Sequence, residues 1–242
     1  MTALLITALL ALPGDAEGLA KPEEWPVIFT VSILTNLSWQ VEPDLRHAAL
    51  GNVSYDWTQQ AQRVDHGAGN FECAHFYKST SGCSLIMNSN GTYRLLPQPV
   101  PAGEPECCLD IPTIFAPPPN WAANGSPTSG GVDVLVPYVG DSTLAFLYPE
   151  SGKCNVRGSG NNSGCHSYYD IEGIGYTAQP ILFTFPANFG LQDWYFLRTT
   201  MAVQLAPLPK SRFELPAGCA TTLCPKSSAR SRGTRHAMPW ML

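Results

Sequence analysis

The clearest alternation of apolar and polar side chains lies between residues 53 and 96. In residues 53–58 large apolar groups occupy every second position, which is the period of a strand with one buried face. Residues 84–87 and 92–96 flank the dipeptide Asn90-Gly91, which adopts positive φ easily and is typical of a tight turn between antiparallel strands. This stretch therefore predicts antiparallel strands that include one hairpin.

The same pattern predicts strands along most of the remaining chain. Residues 27–34 form a β-branched run, residues 61–66 pair with or continue the strand at 53–58, and residues 71–77 extend the sheet. Further strands are predicted at 132–139, 142–148, 181–185 and 194–205. Residues 43–50 fit either a short helical turn or a loop.

Residues 97–127 differ in character because they contain nine prolines, which cannot donate to a strand ladder. They predict one long ordered loop centred on the adjacent Cys107 and Cys108, which would pin the loop to two strands if they bond different partners. The predicted fold class is all-β: a single curved antiparallel sheet or half-barrel with a long Pro-rich loop, stapled by disulfides.

Composition supports one domain and excludes some partners. Only 14% of the 242 residues are charged, and 21 glycines and 22 prolines argue against long helices. Residues 19–225 are interpreted as a single β domain with ten cations and seventeen acids, and residues 226–242 as a basic disordered tail with four cations and no acid. An acidic body argues against a nucleic-acid surface.

Three features indicate secretion. Residues 1–18 resemble a signal peptide, since their apolar run is too short to span a bilayer and ends at Pro13-Gly14. Sequons for N-glycosylation occur at Asn36, Asn52, Asn90, Asn124 and Asn161. An even number of cysteines is typical of disulfides in an extracellular protein: Cys73, Cys83, Cys107, Cys108, Cys154, Cys165, Cys219 and Cys224. No later segment is apolar enough for a transmembrane span.

Catalytic motifs are absent, so the sequence predicts no enzyme. There is no Gly-x-Ser-x-Gly elbow, and the spacing of Cys73 and His75 on one strand does not suit a nucleophile and its base. Metal-ligand pairs with zinc spacing are also lacking, and the Gly-rich run at 155–164 lacks the rest of a phosphate loop. A carboxylate pair of the glycosidase kind stays open among Asp56, Asp65, Asp170, Glu172 and Asp193.

Aromatic residues on or beside the predicted strands supply the remaining functional signal. A curved antiparallel sheet with many aromatics on its concave face can enclose a cavity for an apolar ligand. The predicted pocket-lining residues are Tyr55, Trp57, Tyr93, Phe183, Phe185, Trp194 and Phe196.

Three segments resemble the ependymin-related secreted glycoproteins, whose fold is similar to the half-barrels of bacterial lipoprotein carriers. They are residues 54–64, residues 83–96, and residues 194–205 together with 213–219. The resemblance implies a non-enzymatic extracellular glycoprotein that binds a hydrophobic ligand, and it leaves calcium binding and a homodimer open. The adjacent Cys107 and Cys108 depart from the family's vertebrate pattern.

The sequence thus predicts a secreted, N-glycosylated binding protein for a lipid or other hydrophobic small molecule, with no cofactor. The alternatives are an extracellular matrix or cell-surface interaction glycoprotein and, behind it, a secreted hydrolase with a carboxylate pair. For the disulfides, Cys154 with Cys165 is the predicted pair and Cys219 with Cys224 stays open, because eight cysteines allow about 105 pairings.

Overall fold

A computed structural model describes residues 24–38, 43–112, 115–120, 132–135, 142–149, 167–171, 179–187 and 190–225. The predicted signal peptide, the basic tail, Asn124, Asn161, Cys154 and Cys165 lie outside these residues. Over the described part the fold class is confirmed: most of the chain forms strands of one open sheet, with one α-helix and three disulfides.

The strands run in chain order as two meanders joined side by side. The first meander comprises β1 (Ile28–Ser38), β2 (Pro43–Asp56), β3 (Ala61–His66), β4 (Cys83–Asn88), β5 (Gly91–Leu95) and β6 (Cys107–Ile111). The second comprises β7 (Val132–Leu135), β8 (Ser142–Pro149), β9 (Ser167–Ile171), β10 (Gln179–Ala187) and β11 (Gly190–Phe196). Antiparallel pairing of β1 with β11 joins the two meanders.

The C-terminal part of the chain adds two short strands. β12 (Ala202–Val203) pairs with β1 beyond the end of β11, and β13 (Ala220–Leu223) pairs in parallel with β6. The order across the sheet is β13-β6-β5-β4-β3-β2-β1-β11-β10-β9-β8-β7. Because β13 and β7 end this order, the sheet is open rather than a closed barrel.

The predicted hairpin between β4 and β5 is confirmed. Asn88 pairs with Gly91 at the turn, and Gly91 has a φ of +121°, a backbone angle that residues other than glycine rarely adopt. A Cβ at this position would lie 2.8 Å from the carbonyl oxygen of Ile111 on β6. Glycine is therefore required both by the turn and by the close approach of the neighbouring strand.

Residues 71–77, predicted as a strand, instead form the helix α1 (Phe71–Tyr77). Asn70 caps its start by accepting a hydrogen bond from the Cys73 amide, at 3.0 Å, and Lys78 ends it in the left-handed conformation. Cys73 and Tyr77 lie one turn apart and are both buried. The strand prediction was wrong because a short aromatic run fits both periods, and the cap and the spacing favour the helix.

The long Pro-rich loop is not found as predicted, because β6 lies in the middle of residues 97–127. No proline occurs within Cys107–Ile111, whereas Pro105 and Pro112 stand on either side of it. Both cysteines are therefore strand residues. The other undecided stretch, 43–50, belongs to β2, which pairs with β1 across an irregularity between Thr35 and Leu37.

The long strand predicted at 194–205 is interrupted. β11 ends at Phe196, a 3-10 turn occupies Arg198–Thr200, and β12 then returns to β1. The turn is held because the Ser32 amide donates to Thr200 Oγ1 at 2.9 Å and the Leu197 amide donates to the Ser32 carbonyl. β1 therefore keeps its pairing on this side through two separate strands.

The sheet has an inner face, which carries the hydrophobic core, and an outer face. Phe29, Val31 and Ile33 of β1 lie on the inner face with Tyr55 and Val53 of β2, and α1 and residues 115–120 pack over them. Residues 198–225, which we call the C-terminal strap, pair with β1 through β12, then contact Asp56 and Ser54 of the outer face through Leu208 and Arg212, and end in β13 beside β6. The strap is linked to β6 by the Cys107–Cys219 and Cys108–Cys224 disulfides.

These two disulfides exclude the Cys219–Cys224 pair that the sequence left open. Adjacent residues of a strand point to opposite faces, so the two bonds hold β6 from both sides. The third disulfide, Cys73–Cys83, ties α1 to the start of β4 across a separation of 10 residues. No free cysteine occurs among the described residues.

Candidate functional site

Three of the predicted pocket-lining residues lie together on the inner face. Tyr55, Trp194 and Phe196 are each at most 3% exposed and belong to the hydrophobic core. Trp25 packs edge-on against Tyr55 and Phe196, with ring centroids 5.7 and 6.3 Å apart. On β2 and β11, these aromatic side chains are packed against neighbouring side chains of the same chain.

Tyr55 also has a polar role in this packing. Its hydroxyl donates a hydrogen bond of 2.8 Å to the carbonyl of Pro117, and so holds residues 115–120 onto the inner face. Burial, and then the charge of Asp56, raise the pKa of the phenol above its ordinary value. Tyr55 therefore stays neutral and acts as a hydrogen-bond donor.

The remaining predicted lining residues are distributed differently. Trp57 is half-buried against the core, whereas Tyr93 pairs with Ile86 and lies on the outer face. Phe183 and Phe185 belong to β10, where the structure describes the backbone register but not these side chains. The register places Phe183 opposite Trp194, and thus on the inner-face side of the sheet.

In the second meander, the strand register places further aromatic residues in line with Phe183 across neighbouring strands. Phe183 is opposite Trp194 on one side and Tyr168 on the other, and Tyr168 is opposite Tyr148. Directly opposite residues of antiparallel strands share a face. We call the row Trp194, Phe183, Tyr168 and Tyr148 the aromatic ladder, which runs over β11, β10, β9 and β8.

A buried polar cluster adjoins the start of the ladder. The His66 ring packs edge-on against Trp194 at 5.3 Å, and Asn70 Nδ2 lies 2.8 Å from Thr35 Oγ1 and 3.3 Å from His66 Nδ1. Because Asn70 Oδ1 accepts from the Cys73 amide, its nitrogen must face His66, and Nδ1 of the neutral ring accepts. The ring proton of neutral His66 is therefore on Nε2.

Burial lowers the pKa of His66 to about 4, against a smaller raising effect from the charge of Asp65. His66 Nε2 lies 3.6 Å from a carboxylate oxygen of Glu72, which is too long for a hydrogen bond. Because its pKa lies well below 7, His66 is neutral near pH 7 even though the Glu72 carboxylate is within ion-pair distance. The cluster ties α1 to β1 and β3.

Sequence reasoning missed a second buried group, centred on Arg94. Its side chain is 2% exposed and pairs with Glu104 at 2.9 Å, while its guanidinium lies 4.7 Å from the centroid of the Tyr77 ring. The Tyr77 hydroxyl donates to Asp110 at 2.9 Å. The strand period puts Arg94 on the inner face opposite Leu85, which is the sequence signal that could have revealed it.

On the outer face, the strap and the sheet form an open cleft of about 350 Å³ lined by Arg63, Asp65, Pro209, Ser211 and Arg212. Asp65 accepts hydrogen bonds from Arg63 and Ser84. Asp56 is held separately, by Thr58, Gln59 and the amide of Leu208. These two candidate acids thus have different partners, and Asp170, Glu172 and Asp193 have no described side chains.

The pKa of Asp56 is set by two opposing effects. Burial raises it, but the hydrogen bonds from Thr58, Gln59 and Leu208 outweigh burial, and the net pKa lies below the ordinary value. Asp56 is therefore ionised near neutral pH and serves to fix the strap. That arrangement is structural rather than suited to proton transfer.

The other candidate chemistry from the sequence is placed as follows. Cys73 is bonded to Cys83, so it is not available as a nucleophile beside His75. Within the described residues no cluster of three or more His, Cys, Asp or Glu side chains could hold a metal ion, and none of their helices is long and apolar enough to cross a membrane.

Two of the three sequon asparagines among the described residues are exposed. Asn52 on β2 and Asn90 at the β4–β5 turn are exposed. Ser32 Oγ donates to Asn52 Oδ1 at 3.0 Å. Asn36 lies in β1, where only its backbone position, opposite Asp193, is described.

Comparison with known proteins gives no family. No protein-family model matches the chain, and no curated protein matches it. Among solved structures, the chain is similar to an uncharacterized conserved protein from Thermus thermophilus, with 10% sequence identity and a TM-score of 0.45 over 82% of this chain and 91% of that one. A likeness of this size carries no functional argument.

Proposed function

We propose that the protein is a secreted, N-glycosylated, non-enzymatic binding protein for a lipid or similar hydrophobic molecule. The observation that carries the proposal is the aromatic ladder, whose register continues the inner face from β11 onto β10, β9 and β8. Aromatic rings offer large apolar contact area with little conformational freedom to lose, which suits a binding surface for an apolar ligand.

The contrast between the two meanders supports this location of the ligand. Over β1–β6 the inner face is occupied by Trp25, Tyr77 and other side chains of the core. The ladder lies on the same face but on β8–β11, at the other side of β1. A ligand there would lie next to Trp194, a buried core residue that is also one of the residues predicted from the sequence.

Secretion is part of the proposal. Six described cysteines form three disulfides, and such bonds persist in oxidising compartments. The exposed sequon residues Asn52 and Asn90 add to this, because glycosylation requires passage through the secretory route.

The second candidate is an extracellular interaction glycoprotein that holds no ligand. The observation in its favour is that the described inner face over β1–β6 is filled by the chain's own side chains. In that case the ladder would be covered in the same way, and no apolar molecule would bind there.

Tyr168 and Tyr169 provide a matched pair of variants, because they are adjacent, chemically identical and on opposite faces. Tyr168 belongs to the ladder, whereas Tyr169 is opposite Leu147 and Leu182 on the outer-face side. Binding of a fluorescent fatty-acid analogue to the secreted protein should weaken about tenfold in Tyr168→Ala and less than about twofold in Tyr169→Ala, given the usual value of a buried aromatic contact.

Thermal unfolding of both variants serves as the control for global destabilisation. Equal loss of binding in the two variants, at equal stability, would contradict the ladder as the site. No binding of the analogue to the unaltered protein would favour the interaction glycoprotein.

A further inference from the structure

The C-terminal strap begins with an exposed apolar run. Residues 202–207 read Ala-Val-Gln-Leu-Ala-Pro, and all six are exposed. Leu205 is fully exposed, with a relative accessibility of 103%, and Val203 is 52% exposed. Val27, just before β1, is a further exposed apolar residue at 46%. Single exposed apolar residues are normal, but a contiguous apolar patch marks a contact surface.

Hydrogen bonds hold this run in place at both ends. Before Leu205, β12 pairs with β1, and the Gln204 amide donates to the Ile28 carbonyl at 3.0 Å. After it, the Leu208 amide donates to Asp56 Oδ2 at 2.8 Å, and Gln59 Nε2 donates to the Leu208 carbonyl at 2.8 Å. Leu205 is therefore presented to solvent by a fixed backbone.

Cations outnumber acids in the strap. Residues 198–225 contain Arg198, Lys210 and Arg212 against one acid, Glu214, although the whole chain has a net charge of −5. Lys210 and Arg212 are exposed. Arg212 also lines the outer-face cleft with Arg63, whose charge is balanced by Asp65. The local charge thus has the sign that an anionic surface would attract.

We infer that the apolar run and the cations beside it form a docking surface for an anionic lipid membrane. Leu205 and Val203 enter the boundary between headgroups and acyl chains, and Lys210 and Arg212 contact the lipid phosphates. An apolar contact combined with basic side chains is how peripheral proteins bind anionic lipid surfaces. The net negative charge of the chain makes this contact local and reversible.

Docking also gives the proposed ligand a source, since a lipid carrier must meet a membrane to load or unload. This part of the inference rests on the proposed function, whereas membrane docking does not. Vesicle binding and binding of the fatty-acid analogue can be measured separately, so one can fail without the other.

The test is co-sedimentation of the secreted, full-length protein with phosphatidylcholine vesicles, with and without phosphatidylserine. Leu205→Gln should reduce binding to the anionic vesicles about tenfold, because it removes one inserted leucine. Leu223→Gln is the matched control, since Leu223 is another exposed leucine of the strap, 57% accessible, outside the apolar run. It should change binding less than about twofold.

Lys210→Gln should weaken binding about fivefold at low salt and little at high salt, where the charge is screened. The inference is overturned if the unaltered protein does not bind anionic vesicles, or if Leu205→Gln and Leu223→Gln lose binding equally. It is also overturned if sedimentation equilibrium shows a dimer that Leu205→Gln converts to a monomer, because the run would then contact a second copy.

Discussion

The two faces of the first meander are covered by chain segments of different kinds. On the inner face, α1 follows directly in sequence between β3 and β4, and its Cys73 and Tyr77 join the apolar core. On the outer face, the strap comes from far along the chain, and most of its residues are exposed. It is held by two disulfides and by polar contacts to Asp56, Ser54 and Gln59.

The two covering segments, α1 and the strap, are therefore stabilised in different ways. A segment that buries apolar side chains gains stability from the area removed from water, and its contacts are local. A segment that buries few side chains depends on crosslinks, which lower the entropy of the unfolded chain most when they join distant residues. The apolar run of the strap, residues 202–207, therefore stays exposed to solvent, whereas Cys73 and Tyr77 of α1 are buried in the core.

The comparison predicts its largest effect from the disulfides of the strap. Their sequence separations are 112 and 116 residues, so either bond alone closes nearly the same loop. Removing both, with Cys107→Ser and Cys108→Ser, should lower the free energy of unfolding by about 7 kcal/mol on the chain-entropy model. When one of the two bonds remains, the other closes only the small loop of about eight residues between them. Removing a single bond should therefore lower the free energy of unfolding by only about 2.5 kcal/mol.

Urea unfolding followed by tryptophan fluorescence measures both values. The double variant should lose clearly more than twice the single loss. Additive losses would mean that the two bonds do not act on one shared loop, and the comparison of the two covers would need revision.

Aromatic truncation on the two faces should give the next largest effect. Phe29 on the inner face is 0% exposed and packs against Trp25 and Tyr55, so Phe29→Ala should cost about 4 kcal/mol. Phe213 in the strap is 7% exposed, and Phe213→Ala should cost about 2 kcal/mol, because the strap can relax toward the gap. Chemical denaturation of both variants checks the order; a larger loss for Phe213→Ala would contradict it.

The buried His66 predicts a dependence of stability on pH. Its folded pKa of about 4 lies below the ordinary value of 6.5, so the unfolded chain binds a proton that the folded chain does not between these two values. The free energy of unfolding should therefore fall by roughly 3 kcal/mol as the pH decreases from about 6.5 to 4. Above that window His66 contributes no pH dependence.

His66→Gln should flatten this part of the pH profile. Unfolding midpoints at several pH values provide the measurement. An unchanged slope in His66→Gln would show that another group carries the pH dependence.

The smallest effect concerns the polar attachment of the strap. Asp56 accepts from Thr58, Gln59 and the Leu208 amide, so Asp56→Asn should cost about 1 to 2 kcal/mol. Asp65→Asn, on the same face and 32% exposed at its side chain, should cost less than about 1 kcal/mol. Hydrogen exchange of the Leu208 amide should speed up in the first variant only; equal exchange in both would contradict the role of Asp56.

Elements with one dominant local signal were predictable from the sequence. The Asn90-Gly91 hairpin and the strand at 61–66 are confirmed because alternation and turn chemistry act over a few residues. α1 was not predictable, since its aromatic residues fit a strand as well as a helix, and Asn70 is as typical of a turn as of a helix cap. β6 was hidden by the prolines around it.

The candidate site was less predictable because it depends on pairing between distant strands. Aromatic residues could be named as lining residues, but only the register places Phe183 beside Trp194 and sends Tyr93 to the other face. The partners of Cys107 and Cys108 follow from a parallel strand, β13, which local patterning does not reveal. The buried ion pair of Arg94 with Glu104 needed the fold as well.

The most direct test of the proposed function is native mass spectrometry of the secreted, deglycosylated protein, followed by organic extraction and lipid analysis. A binding protein for an apolar molecule should carry a ligand in stoichiometric amount, and Tyr168→Ala should lose it while Tyr169→Ala keeps it. A protein mass with no bound molecule, in a sample that is folded and fully disulfide-bonded, would contradict the proposal.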